Sequence, residues 1–182
     1  MSSPSPRIAR NGYGIGYAVG SCALGAVLVA GGAGGVCAIA LGDGADTLVN
    51  QLRLQFRDAE IGASDVDCKA WLQQIIAFIE QPAKGLALPL DLRGTPFQRR
   101  VWQVLGEIPL GATLSYQAIA GRIGAERSVR AVASACAANP LALAVPCHRA
   151  VRSDGKLAGY RWGIERKAEL LKREREALTA RR

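Results

Sequence analysis

Residues 115–140 read SYQAIAGRIGAERSVRAVASACAANP, and their organisation decides the architecture around them. Ser115 precedes Tyr116-Gln117-Ala118-Ile119-Ala120, where a hydroxyl can accept from the first free N–H groups of a helix. Gly124 supplies its left-handed stop. Ser128 is placed to cap a second short helix, Val129 to about Ala138. Asn139-Pro140 ends that helix, because a residue before proline avoids helical geometry. Two short helices around a glycine-containing turn predict a helix-turn-helix. The second helix carries one long polar side chain, Arg130, among Ser128, Ala131 and other small residues. A reader of the DNA major groove needs several long polar side chains. This pattern instead suits close approach to a shallow or narrow groove, and a packing helix with a solvated arginine is the plain alternative.

Upstream, Thr95-Pro96-Phe97-Gln98 forms a capping box with proline at the first helical position. The helix it starts turns Phe97, Val101, Val104, Leu105 and Ile108 inward and stops before Pro109. Residues 93–182 hold 17 Lys/Arg against 7 Asp/Glu, whereas residues 1–92 hold 6 against 8. A basic half on a near-neutral half suits binding to a polyanion or an anionic membrane surface.

The first half reads as a small α/β domain. Residues 11–42 carry no charge, which raises a signal peptide or a membrane helix, but ten of the 32 are glycine, a density that suits no helix. Strands Ala23–Ala30 and Val36–Leu41 around a Gly-rich turn are expected instead. Leu48, Val49, Leu52 and Phe56 keep helical spacing, as do Trp71, Leu72, Ile75, Phe78 and Ile79 before Pro82. Leu86, Leu88, Leu90 and Leu92 alternate as in an edge strand or an extended crossing segment. Residues 1–12 read as a disordered tail.

The chemistry gathers beyond Pro140. Leu141–Val145 reads as a buried strand that delivers Pro146-Cys147-His148-Arg149. The five cysteines are odd in number and form no C-x-x-C pair, which points to a reduced cytoplasmic protein without a structural metal. His148 is the one histidine. A thiol beside an imidazole suits an activated nucleophile; a structural cysteine beside an incidental histidine is the alternative. Neighbouring residues of a strand face opposite ways, so the chain must bend at Pro146, or a water must bridge the pair. On the last helix Ala168, Leu171 and Leu178 mark an inward stripe, and Glu174 falls on it. A carboxylate there needs a partner: His148 would complete a Cys–His–Glu relay, whereas a salt bridge to Arg130 or Lys167 would be structural.

PCHR, with SYQ and RAV upstream, ANP just before and GYRWG after it, resembles the O6-alkylguanine-DNA alkyltransferases over residues 13–176. The likeness is greatest to the alkyltransferase half of the bifunctional bacterial members. It implies an α/β domain related to the ribonuclease H fold over 13–92 and a mainly α winged helix-turn-helix domain over 93–182. It implies single-turnover transfer of an alkyl group from O6-alkylguanine in double-stranded DNA to Cys147. His148, through a water, and Glu174 would activate that thiol. Tyr116 would lie by the flipped nucleotide and protonate the departing guanine, and Arg130, flanked by Ser128 and Ala131, would fill the vacated base stack. Asn139 would tie the recognition helix to the active-site strand, and Tyr160, Arg161, Trp162 and Pro146 would shape the pocket. Trp162 either crowds the pocket mouth or packs inward near Ile164 and Ala168. No cofactor, metal or membrane partner is implied, and the protein is expected to act as a monomer. The bifunctional members carry an upstream domain with four zinc-binding cysteines; about twelve residues precede the resemblance here, so methylation-switched transcriptional activation is not expected.

Overall fold

The computed structural model describes residues 14–63 and 66–180, and the tail expected over 1–12 lies outside the described residues. Strands β1 (Gly14–Cys22), β2 (Gly25–Gly32) and β3 (Gly35–Gly42) form an antiparallel meander. Helix α1 (Ala45–Gln55) then leads to β4 (Glu60–Ala63), which pairs parallel with β1, giving the order β3-β2-β1-β4. Helix α2 (Val66–Glu80) packs on the opposite face from α1. On β2, Leu28 and Ala30 meet α1 with Leu48 and Leu52, while Val27 and Val29 join Ile75, Phe78 and Ile79. Burial on both faces explains why this stretch is uncharged without alternating. The sequence predicts the β2–β3 hairpin but neither β1 nor β4, because a glycine-dotted strand lacks the β-branched signature.

A single 3-10 turn at Pro82–Lys84 and an extended crossing segment lead to the second half. The alternating leucines do not make a strand. Only Leu90 bridges, to Val36 at the edge of β3, and Leu90 itself is exposed. Pro89 can accept from this edge but cannot donate to it, and its carbonyl takes the Val36 N–H at 2.7 Å.

The second half contains α3 (Pro96–Gly106), β5 (Leu114–Ser115), α4 (Tyr116–Arg122), α5 (Val129–Ala137), β6 (Ala150–Val151) and α6 (Ile164–Thr179), with β5 and β6 paired in parallel. The capping box closes in both directions, Gln98 N to Thr95 Oγ1 at 3.2 Å and Thr95 N to Gln98 Oε1 at 2.9 Å. Ser115 caps α4 through Ala118 N at 3.0 Å. Ser128 departs from expectation: its side chain makes no capping bond. Its φ of −104° and ψ of 29° are not the extended geometry that aims a hydroxyl back at the helix.

Leu141–Val145 is buried but is not a strand. Leu141 bridges Ile39 of β3, after which Leu143 turns left-handed at φ 69° and Val145 N bonds back to Leu141 O at 3.0 Å. One continuous core joins β2, β3, α2, α3, α5 and this loop. No helix among the described residues is long and apolar enough to cross a membrane.

Gly35 has φ +109°, and a Cβ there would lie 2.5 Å from the Pro89 carbonyl oxygen. Gly35→Ala should therefore destabilise the fold by about 1–3 kcal/mol. Gly121, inside α4 with open space around it, should gain about 0.5–1 kcal/mol on change to alanine. Urea unfolding of the two variants checks both signs.

Candidate active site

Cys147, His148 and Arg149 occupy a buried 3-10 turn between the Leu141–Val145 loop and β6. The chain bends at Pro146, whose φ of −79° and ψ of 62° begin the turn, so Cys147 and His148 do not face opposite sides of a sheet. No hydrogen bond joins them directly: His148 Nε2 pairs with Glu174 Oε1 at 2.8 Å, and His148 Nδ1 is buried without a hydrogen-bond partner.

Glu174 reaches the site from α6, although the stripe expected on that helix is rotated. Ala168 and Leu178 are exposed, and the buried face is Lys167, Leu170, Leu171 and Glu174. Apolar periodicity missed it because the two charged residues are buried with their polar atoms satisfied. Glu174 accepts from His148, from Arg149 Nε at 3.0 Å and Nη2 at 2.8 Å, and from Gly111 N at 3.0 Å. Burial pushes the carboxyl up, but the hydrogen bonds from His148 and Arg149 outweigh it and hold it at about 2. An ionised Glu174 can only accept, so His148 carries its proton on Nε2 and offers a lone pair on Nδ1. Burial keeps the imidazole pKa below its ordinary value despite the pull of Glu174, so the ring is neutral and able to take a proton.

Asn139, fully buried, holds the loop from inside. Its Nδ2 donates to Val145 O at 2.8 Å, to Leu141 O at 3.3 Å and to Cys147 Sγ at 3.2 Å, while its Oδ1 accepts from Leu141 N at 2.9 Å. Burial raises the Cys147 thiol to about 11, against the lowering influences of the Asn139 bond and the Lys167 charge. The resting sulfur is therefore protonated, and a base must act before it becomes a nucleophile. Lys167 is buried beneath the site, donating to Ala150 O at 2.6 Å and Ala158 O at 3.3 Å, with its ammonium 5.9 Å from the Tyr116 ring centre. Tyr116 opens α4, and burial lifts its phenol to about 12. Among the described residues no group of three or more His, Cys, Asp or Glu side chains is arranged to hold a metal ion.

Tyr160 and Trp162 meet edge to face at 5.2 Å, and Arg161 lies over the Trp162 ring at 5.6 Å. Trp162 is buried in the core, while Ile164 and Ala168, its expected neighbours, are exposed. Arg161 donates to Asn139 O at 3.3 Å and to Gln55 Oε1 of α1 at 3.4 Å. Pro146, next to Cys147 in the chain, is buried. Arg130 and Ala131 are exposed on α5 and Ser128 is partly buried, so these three stand apart from the buried cluster.

A family model described as the 6-O-methylguanine DNA methyltransferase, DNA binding domain, matches residues 96–176. The bifunctional transcriptional activator/DNA repair enzyme Ada of Escherichia coli strain K12 is 52% identical over 160 residues, 88% of this chain and 45% of that protein. The crystal structure of Mycobacterium tuberculosis OGT in complex with DNA shares 34% identity at a TM-score of 0.72, covering 89% of this chain and 94% of the other. The chain belongs to the O6-methylguanine-DNA methyltransferase family. A second family member, the methylated-DNA–protein-cysteine methyltransferase of Kluyveromyces lactis, is 43% identical over 114 residues, 59% of this chain and 60% of that protein. The chain thus spans between about half and two thirds of the curated relatives it matches.

Sequence reasoning missed Arg149 in this methyltransferase-family site and offered Lys167 only as a salt-bridge partner of Glu174, whereas Glu174 pairs with Arg149 and the Lys167 amine goes to Ala150 O and Ala158 O. Arg149 lies in the PCHR motif itself but was not assigned a partner, and its guanidinium also donates to Ile108 O at 2.6 Å. Lys167 stands seven residues before Glu174, two helical turns along the same face, and that spacing is the signal that could have placed it on the buried side.

A glutamate held at about 2 when folded and 4.5 when free stabilises the fold wherever it is ionised. That contribution is complete above about pH 4.5 and disappears as the pH falls toward 2. Glu174→Gln should cost on the order of 3 kcal/mol at pH 7, and the gap to the parent should narrow below pH 4.5. Urea unfolding between pH 7 and pH 3 reads this directly; a gap that stays constant contradicts it.

Proposed function

We propose that this chain repairs DNA by taking the alkyl group from O6-alkylguanine onto Cys147, once per molecule. The observation that carries the reading is the join of a buried thiol, an Asn139 N–H aimed at its sulfur, and an ionised Glu174 behind a neutral His148. In the proposed step His148 Nδ1 takes the Cys147 proton through a water, and the Glu174 charge stabilises the imidazolium that forms. The thiolate attacks the alkyl carbon, so the S–C bond forms as the C–O6 bond breaks. The electron pair of that bond goes to the guanine, which takes a proton from Tyr116 or solvent. The thioether has no leaving group that water can displace, so turnover ends there.

An alkyl group on O6 is unreachable inside a duplex, so the base must leave the stack. Exposed Arg130 on a helix of small residues suits insertion into the gap, with Ser128 and Ala131 allowing close approach. The excess of Lys/Arg over 93–182 suits phosphate contact. On the same reading residues 13–92 form a ribonuclease H-related domain and residues 93–182 a winged helix-turn-helix domain, with the β6 region as wing. Tyr160, Arg161 and Pro146 would border the extruded base, with Trp162 behind Tyr160 rather than at the mouth. A reduced cytoplasmic setting suits a free acceptor thiol.

Intact-mass measurement with O6-methylguanine duplex should show one methyl per molecule, mapped to the Cys147 peptide. Repeated turnover, or methyl on Cys136, would overturn the reading. Cys147→Ser should bind DNA with unchanged affinity and accept nothing. Separately, Arg130→Ala should slow transfer from duplex at least tenfold more than transfer from free O6-methylguanine base, equivalent to about 1.4 kcal/mol. Equal loss on the two substrates would assign Arg130 to folding instead of stack filling.

A further inference from the structure

Two buried side-chain polar atoms among the described residues have no hydrogen-bond partner, and they belong to facing rings: His148 Nδ1 and the Tyr160 hydroxyl. The rings approach edge to face with centres 6.5 Å apart. Buried polar atoms are nearly always satisfied in folded proteins, and two orphans on neighbouring rings can be relieved together by one small bridging group. The tautomer fixed by Glu174 leaves Nδ1 as a pure acceptor, so the bridging group must donate to it. Tyr160 can donate in turn to that group, since its own hydroxyl meets no other acceptor.

Resting on the alkyl-transfer reading, we propose that Tyr160 is a positioning residue. Its hydroxyl donates to the water that links Cys147 to His148 Nδ1, fixing that water's orientation. With one lone pair taken by Tyr160, the water accepts the Cys147 S–H proton on the other and delivers one of its own protons to Nδ1. The products are thiolate and imidazolium, and the water is regenerated. The Tyr160 hydroxyl keeps its own proton throughout, as expected of a phenol that burial holds well above its ordinary pKa. Trp162 supports the arrangement by packing edge to face on the Tyr160 ring at 5.2 Å, and the Lys167 amine ties down Ala158 two residues earlier on the same loop.

The titratable and charged groups that act on Cys147 and His148 are Glu174 and Lys167 from α6, Arg149 from the active-site turn, Tyr116 from α4, Cys136 from α5 and Arg161 from the loop. Tyr160→Phe leaves all six in place and keeps the ring that packs on Trp162. The test compares parent and Tyr160→Phe in two assays across pH 6–10. One is single-turnover methyl transfer from O6-methylguanine duplex. The other is DNA-free alkylation of Cys147 by iodoacetamide, followed by peptide mass. In both, the rising pH–rate profile of Tyr160→Phe should be displaced about one pH unit upward, making it about tenfold slower at pH 7. Because His148 is the only histidine, its 15N signals need no assignment, and the Nδ1 shift should move in the variant while the Nε2 shift stays. Superimposable pH profiles, or a loss confined to the DNA assay, would overturn the inference and assign the hydroxyl to the base. An unchanged Nδ1 shift would do the same even if the variant were less stable. A parent that transfers no methyl group at all would defeat the alkyl-transfer reading instead, and the DNA-free assay and the spectrum would still report on Tyr160.

Discussion

A carboxylate can be buried only where enough donors replace its lost water, and the second half of this protein is arranged around one such group. Glu174 gathers His148 and Arg149 from the active-site turn and the Gly111 amide from the loop after α3. Two chain segments far apart in sequence are thereby held on α6. Arg149 supplies the compensating charge, and that leaves His148 free to remain neutral. If His148 were the only partner, the buried carboxylate would favour an imidazolium, and the base would be spent before the reaction began. The arginine that follows the histidine in sequence is therefore part of the acid–base arrangement, although it touches neither Cys147 nor the space in front of it.

The sulfur is set by a second buried group. Asn139 uses both ends of its amide on the loop that leads to Cys147, and one N–H reaches the sulfur itself. The loop is also pinned from outside. Ile39 N donates to Pro140 O at 2.9 Å, and Ala142 N donates to Ile39 O at 3.1 Å. The edge of β3 thus finishes its hydrogen bonding on the active-site loop, and the first half, which carries no reactive cluster, fixes where the thiol stands. Arg166 adds to this join, donating to Leu24 O at 2.8 Å and pairing with Asp43, while Arg161 reaches α1 through Gln55.

These constraints leave the thiol protonated at rest, and that suits an acceptor that acts once. A cysteine raised to about 11 reacts little with incidental electrophiles. On the proposed reading it becomes a nucleophile only through the neutral histidine. Arg130 and Ala131 on α5 are exposed while Cys147, His148 and Glu174 are buried, so on the proposed reading contact with a polyanion and bond chemistry would use different side chains.

The sequence alone carried what local chemistry controls. Capping at Thr95 and Ser115, the glycine stops, the β2–β3 hairpin, α1, α2 and the break at Asn139-Pro140 all depend on residues within a few positions of each other. The pairing of Glu174 with His148 was legible as one of two options, because adjacency to Leu171 put Glu174 on a buried line. The tertiary structure decided the rest. Leu141–Val145 has the composition of a strand but meets a neighbour only at Leu141, so it turns instead of extending. Ser128 has the right side chain in the wrong backbone geometry. Lys167 looks like a surface residue until the carbonyls of Ala150 and Ala158 come within reach of its amine. Trp162 was open between pocket and core until its neighbours were in place. In each case the outcome depends on hydrogen bonds and contacts between residues distant in the chain, and such partners exist only once the chain has folded.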